Sequence, residues 1–141
     1  MEINTEIPQG TTREEIKQRE KFIQNFYSSW ISINPEKRIY NAGLKDFIYV
    51  RFLSIQETAE QAAKRYISTF AVVYLTEILE LATVKKVSTP KQETENQKRF
   101  KEMILMEYEK EELGTVKLTV GVLRGSGNKI QYCITAIENK K

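Results

Sequence analysis

The chain has 141 residues, 40% of them hydrophobic, and its 22 lysines and arginines against 19 aspartates and glutamates leave a net charge of +3. That length suits one domain with a real core, and the mild basicity permits a polyanionic partner without demanding one. There is no histidine and a single cysteine, which removes histidine-bound zinc, Ser-His-Asp triads, paired-histidine ribonuclease chemistry and any internal disulfide.

No apolar run approaches the ~18 residues of a membrane span, and the opening MEINTEIPQG is acidic and polar, unlike a signal peptide. The expectation is a cytoplasmic protein with no metal, no other cofactor and no membrane contact. Residues 1–10 lack periodicity and read as a flexible tail before one domain over 11–141. Thr11 or Thr12, followed by Glu14 and Glu15, starts a capping box. Ile16, Phe22, Ile23, Phe26, Tyr27, Trp30 and Ile31 then recur at helical spacings, predicting an amphipathic helix over 12–31 that Asn34-Pro35 ends.

In KRIYNAGLKDFIYVRFLS both alternating sets are apolar. The segment is a strand buried on both faces, or a helical turn plus an extended piece. Arg51 sits inside this run, where an unpaired guanidinium is costly. It is either an anion anchor or one half of a pair with Glu57, Asp46 or a helix C-terminus. Ser54-Ile-Gln-Glu57 reads as a capping box opening a helix with Ala59, Ala62, Ala63 and Tyr66. Ser68-Thr69 caps a second piece or marks a bend, and Phe70, Val73, Tyr74, Ile78 and Leu81 form its stripe.

TVKKV is a short strand, STPKQETENQ a breaker-rich loop and the best candidate for disorder, and MILMEYE a strand. Val116–Ile137 is a hairpin around Gly-Ser-Gly-Asn. A three-residue loop, Ser126-Gly127-Asn128, separates its faces cleanly. Val116, Leu118, Val120, Val122, Tyr132, Ile134 and Ala136 then face the helices; Lys117, Thr119, Gly121, Gln131, Cys133 and Thr135 face out. The resulting fold class is α+β: N-terminal helices packed in two layers on a C-terminal antiparallel sheet of three to four strands.

Lys117 and Thr119, with Arg124, Gln131 and Tyr132 nearby, suit a phosphodiester, because cations stabilise a pentacoordinate phosphate without metal. Lys129 adds to the basic groups at the hairpin tip. Cys133 has no histidine to activate it, which argues against a thiolate nucleophile.

Three stretches, NAGLKDFIYVRFLSIQET, AAKRYISTFAVVYLTEILELA and GTVKLTVGVLRGSGNKIQYCITAI, resemble small proteins and domain fragments from phages and mobile elements of Bacteroides-type bacteria. Those are grouped with the barnase/EndoU/colicin/RelE-like (BECR) ribonuclease fold, and the likeness covers residues 37–138. The resemblance implies helices followed by a four-stranded antiparallel sheet whose open face carries an RNase-like site. Carried over, the site residues are Arg51, Lys117, Thr119 and Tyr132 as the catalytic set and Ser68, Thr69 and Gln131 as RNA contacts, to which the residue reading adds Arg124 and Lys129 as RNA-binding groups. Tyr132 conflicts with the hairpin register, which points it inward, and the missing histidine leaves open a relative that only binds.

Two functional readings follow. A metal-independent RNA-cleaving or RNA-binding domain needs Arg51, Lys117 and Arg124 on one concave patch. A non-catalytic module that docks another protein needs scattered charges and an exposed apolar patch, from Tyr27, Trp30 and Ile33. A third, weaker reading is self-association through an exposed strand edge.

Overall fold

The computed structural model describes residues 7–137. The first helix, α1 (Arg13–Ile33), starts as expected: the Thr12 hydroxyl accepts from the Glu15 amide at 3.2 Å and donates to the Glu15 carboxylate at 2.9 Å. The tail expected over 1–10 falls outside the described residues up to Glu6. From Ile7, itself buried, the chain is docked on α1.

A hairpin follows, β1 (Arg38–Asn41) and β2 (Asp46–Tyr49), in place of the single extended or partly helical piece expected. The Asn41 side chain accepts from the Leu44 amide at 2.9 Å, which closes the turn, and Lys45 adopts φ 55°. Next comes α2 (Phe52–Ala62), which begins earlier than its serine suggests. Ser54 lies inside the first turn and accepts from the Arg51 amide at 3.0 Å, so it caps backwards rather than opening the helix. The stretch with Ser68 and Thr69 is two short helices, α3 (Tyr66–Val72) and α4 (Leu75–Leu81), broken at Val73-Tyr74 rather than at the serine. The expected strand TVKKV is β3 (Thr83–Ser88), and the polar loop after it holds one helical turn, α5 (Glu95–Lys98), capped by Thr94. Strands β4 (Phe100–Lys110), β5 (Gly114–Leu123) and β6 (Lys129–Ile137) complete the chain.

The α+β class stands, but among the described residues the sheet has six strands in the order β1-β2-β6-β5-β4-β3, and the β2–β6 pair is parallel. The early hairpin supplies the two extra strands. Bulges in the β3–β4, β4–β5 and β5–β6 ladders bend the sheet. The core lies between its inner face and the helices. Tyr27 and Trp30 of α1 lie in it with Ala59, Ala62, Leu75, Ile78, Leu118 and Ile134. Small alanines on α2 let the α1 backbone approach closely.

The hairpin register departs from expectation along its whole length: the three-residue loop sets Val122 against Tyr132 and Val120 against Ile134, whereas Ile134 pairs with Leu118, a two-residue shift that keeps the faces. Lys117 pairs with Thr135 and Thr119 with Cys133, but a bulge then sets Val120 against Gln131 and Val122 against Lys129. The loop runs from Arg124 to Asn128, with Gly125 and Gly127 at positive φ. The bulge exchanges two residues between faces: Gln131 turns in and is fully buried, while Tyr132 turns out against Phe100. The other inner positions, Val116, Leu118, Val120, Val122, Ile134 and Ala136, are buried as expected.

Strand β2 pairs with β6 only through Ile48↔Lys129 and Tyr49↔Ile130, then turns away into α2. Beyond that point the edge of β6 has no strand neighbour among the described residues, and helices α2 and α3 cover it. The Ser54 hydroxyl donates to the Gln131 carbonyl, and the Ser68 hydroxyl accepts from the Ala136 amide at 2.9 Å and donates to its carbonyl at 3.3 Å. Two serines thus stand in for the missing strand, because buried backbone groups must be paired.

Candidate functional site

Where β2 meets α2, the first turns of α2, α5 with the residue after it, and the adjoining ends of β5 and β6 line a cleft of ≈ 370 Å³. Leu53, Leu123 and Ile130 form its apolar floor, and Arg51 and Arg99 stand at its sides. Beneath the floor lies a second small core in which Leu53, Phe100 and Ile130 are buried against Tyr49, Met103 and Tyr132. At the rim is Phe52, 78% exposed.

Arg51 is exposed, with its guanidinium carbon 5.4 Å from the centre of the Tyr49 ring. The carboxylates expected to pair with it are engaged elsewhere: Glu57 accepts from Asn96 at 2.8 Å, and Asp46 takes the Lys129 ammonium at 2.9 Å. Among the described residues, neither Arg51 nor Arg99 has a carboxylate within ion-pair distance. Arg38 shares the Tyr49 ring with Arg51, its guanidinium carbon 6.0 Å from the ring centre. It lies 3.9 Å over Phe47, donates to the Tyr49 hydroxyl at 3.3 Å and meets Glu36 at 3.2 Å. A guanidinium held on a ring face keeps its outward N–H groups for a ligand.

The residues expected to form one constellation are spread widely. Arg51 is in the cleft. Arg124 is next to it, exposed, with its Nε donating to the Lys98 carbonyl at 3.1 Å and its amide bonded to the Arg99 carbonyl at 3.0 Å. Lys129 is held by Asp46, whose carboxyl the lysine keeps below the usual range. Lys117 lies between Glu107 and Thr135 at the other end of β5. Its seven-residue separation from Arg124 puts it ~20 Å away along the strand. Thr119 sits between Leu105 and Cys133 on the same outer face.

Tyr132 is edge-on to the Phe100 ring at 5.7 Å, and burial, then the nearby Glu57 carboxylate, raise its phenol above the ordinary tyrosine range. It stays protonated at neutral pH. Ser68, Thr69 and Gln131 are buried and cannot touch a bound strand. Thr69 donates to backbone carbonyls at Ala62 and Arg65. Gln131 donates to the Thr58 hydroxyl at 2.8 Å and accepts from the Tyr27 hydroxyl at 2.7 Å. The apolar patch expected from Tyr27, Trp30 and Ile33 does not form, since only Ile33 is exposed. Sequence reasoning missed Arg99 and Phe52 as site residues. Arg99 lies past the loop read over 88–97, among basic residues interleaved with acids that read as solvated surface, and Phe52 lies in the extended run whose two alternating sets are both apolar, which reads as core.

Cys133 is half-buried, and its surroundings, chiefly desolvation and then Glu57 and Glu60, push the thiol up to about 12 from 9.0. Burial raises the Tyr27 phenol as well. Both groups favour the folded state only while protonated. The thiol's contribution is whole below its unfolded value of 9.0 and is lost as pH rises from there to about 12, and the phenol's begins to fall only above its unfolded value of 10.0. The expected result is a denaturation midpoint that falls across that window. Cys133→Ala flattens part of the slope, and an unchanged slope in that variant would remove the cysteine from the account.

Among the described residues no cluster of three metal-ligating side chains occurs, and no helix is long and apolar enough to cross a membrane. The fold and the cleft define an α+β protein with an anion-compatible cleft between strand, helix and loop. Comparison with family models, with curated proteins and with solved structures returned no match.

Proposed function

We propose that the chain binds single-stranded nucleic acid in the Arg51–Arg99 cleft and does not cut it; RNA is the form favoured by the resemblance to ribonuclease-fold domains. The observation that carries this is the pair of arginines, without carboxylate partners among the described residues, flanking an apolar floor with an exposed phenylalanine at its rim. Phosphates attract guanidinium groups, and an unstacked base has a π-face for Phe52, the combination that single-strand sites use. A cytoplasmic setting belongs to the same reading.

Cleavage is not part of it. Lys117 is too far from Arg51 to touch the same phosphate, and Tyr132 is held protonated. Glu57 is taken up by Asn96 at 2.8 Å, and none of the residues lining the cleft is a carboxylate.

The test is anisotropy of labelled ten-nucleotide RNA and DNA over a range of salt, with RNA integrity followed in EDTA. The wild type binds and weakens as salt rises. Arg51→Ala/Arg99→Ala binds at least about tenfold more weakly, and its salt slope is shallower by about 1.4, the release from two phosphates. An unchanged slope in the double variant would sink the cleft assignment. RNA cleavage in EDTA that Arg51→Ala/Lys117→Ala abolishes would replace binding with catalysis.

A second reading, a protein-docking module, is favoured by the ≈ 770 Å³ groove between α1 and α2. Phe52, Ile55 and Ala59 line it, with Glu20 and Glu60 alongside. Phe52→Ala separates the two. Loss of nucleic-acid binding ties the ring to the cleft, and full retention frees it for the groove.

A further inference from the structure

We propose that the outer edge of β3 accepts an extended segment of another protein in which apolar and acidic residues alternate, adding a seventh strand to the sheet.

Strand β3 is the last in the sheet order, and nothing among the described residues pairs with its far side. All six of its residues are exposed. Half of its backbone N–H and C=O groups therefore point at solvent, which is the template that strand addition uses. The side chains give that template a chemistry. Val84 and Val87 pair with Met106 and Ile104, whose side chains are buried in the core, so the two valines lie on the helix-facing side of the sheet. They remain 40% and 53% exposed because the helical layer stops short of them. Lys86 pairs with Leu105 on the opposite face, and Lys85 is the extra residue of the bulge between Val84 and Lys86. Neither lysine has a carboxylate within ion-pair distance among the described residues.

An incoming strand must match that alternation, since the side-chain period is two. Its apolar residues extend the valine ledge, and its acidic residues meet the lysines. A second copy of this chain fits poorly. The antiparallel register that stacks Val84 on Val87 sets Lys85 against Lys86 across the twofold axis, and like charges directly opposite are destabilising. The lysines and the bulge that discourage edge-to-edge self-pairing thus become the selective feature for an acidic partner.

The test uses two blocked heptapeptides, one alternating valine with glutamate and one alternating valine with lysine, titrated into the full chain and followed by backbone amide NMR. The expected result is saturable shifts over residues 83–88 with the glutamate peptide and none with the lysine peptide. Lys85→Glu/Lys86→Glu, both at exposed positions that leave the fold intact, inverts the preference. Lys86→Gln alone weakens glutamate-peptide binding by a smaller factor. Three results would overturn the proposal: no shifts over 83–88 with either peptide, a preference the charge reversal leaves unchanged, or concentration-dependent broadening of β3 signals without peptide.

Discussion

Replacing Arg19 with methionine lowers the stability of the protein by about 2–4 kcal/mol, by the usual cost of removing a buried charged donor. The guanidinium is fully buried on the inner side of α1. Its Nε donates to the Ala63 carbonyl at 2.7 Å, and its Nη1 donates to the carbonyls of Pro8 at 2.7 Å and Gly10 at 2.8 Å. One side chain therefore fastens the segment before α1 to the C-terminal end of α2, where the helix dipole favours a cation. Charge-assisted bonds of this kind are the strong ones, and their loss leaves three carbonyls without their donor. Burial works against the charged form, with Glu15 favouring it, so the bonds must offset the desolvation. Arg19→Lys recovers part of the loss, because a single ammonium cannot span three acceptors on two segments. The measurement is urea denaturation: the midpoint falls and the slope stays constant. A shift under about 0.5 kcal/mol, the size of an ordinary surface change, would mean that the segment from Ile7 to Gly10 is not docked in solution.

Gly121→Val destabilises by about 3 kcal/mol, at the top of the range for overpacking, and breaks open the small core beneath the cleft. A Cβ at Gly121 would stand 2.5 Å from the Phe100 ring, which lies flat on the bare backbone. A bulge between Phe100 and Glu102 turns that ring over the strand, where it is fully buried and meets Tyr132 edge-on. The flanking strands fix both backbones, so the ring must leave. Its departure opens the small core under Leu53 and Ile130, the floor on which Arg51 and Arg99 stand. Stability falls in this variant, and the nucleic-acid binding proposed for the cleft falls with it. Phe100→Ala alone costs about 3–5 kcal/mol, the usual loss for a buried phenylalanine. The double variant costs less than the sum by more than about 1 kcal/mol, the coupling expected of residues in direct contact. Additive losses would show that the two positions do not touch.

Gly121 also shows what could be read in advance. Its outward place on β5 follows from alternation, and the gap it leaves reads equally well as a ligand site, solvent or a partner. The Phe100 ring fills it, and that ring reaches it only through a bulge in β4. The same limit explains the polar residues. Ser54, Ser68, Thr69 and Gln131 look alike on paper whether they bind a substrate or close a buried edge. Their partners lie far along the chain: Ser54 meets Gln131 at a separation of 77 residues, Ser68 meets Ala136 at 68, and Gln131 meets Tyr27 at 104.

What the sequence determined by itself is what local periodicity controls: the first helix with its Thr12 cap, the three C-terminal strands and their inner valines and leucines, the α+β class, and a chemistry without histidine. Side-chain period and capping act over a few residues, and those signals survive without tertiary context. The tertiary structure decided the rest. It paired β2 with β6 for two residues, which brought Arg51 and Phe52 beside Arg99, and it placed one bulge that exchanged Gln131 for Tyr132. A bulge shifts register by one residue and reverses every face beyond it. Each of these outcomes turned on which distant backbone groups needed covering, a balance struck only when the sheet and helices meet.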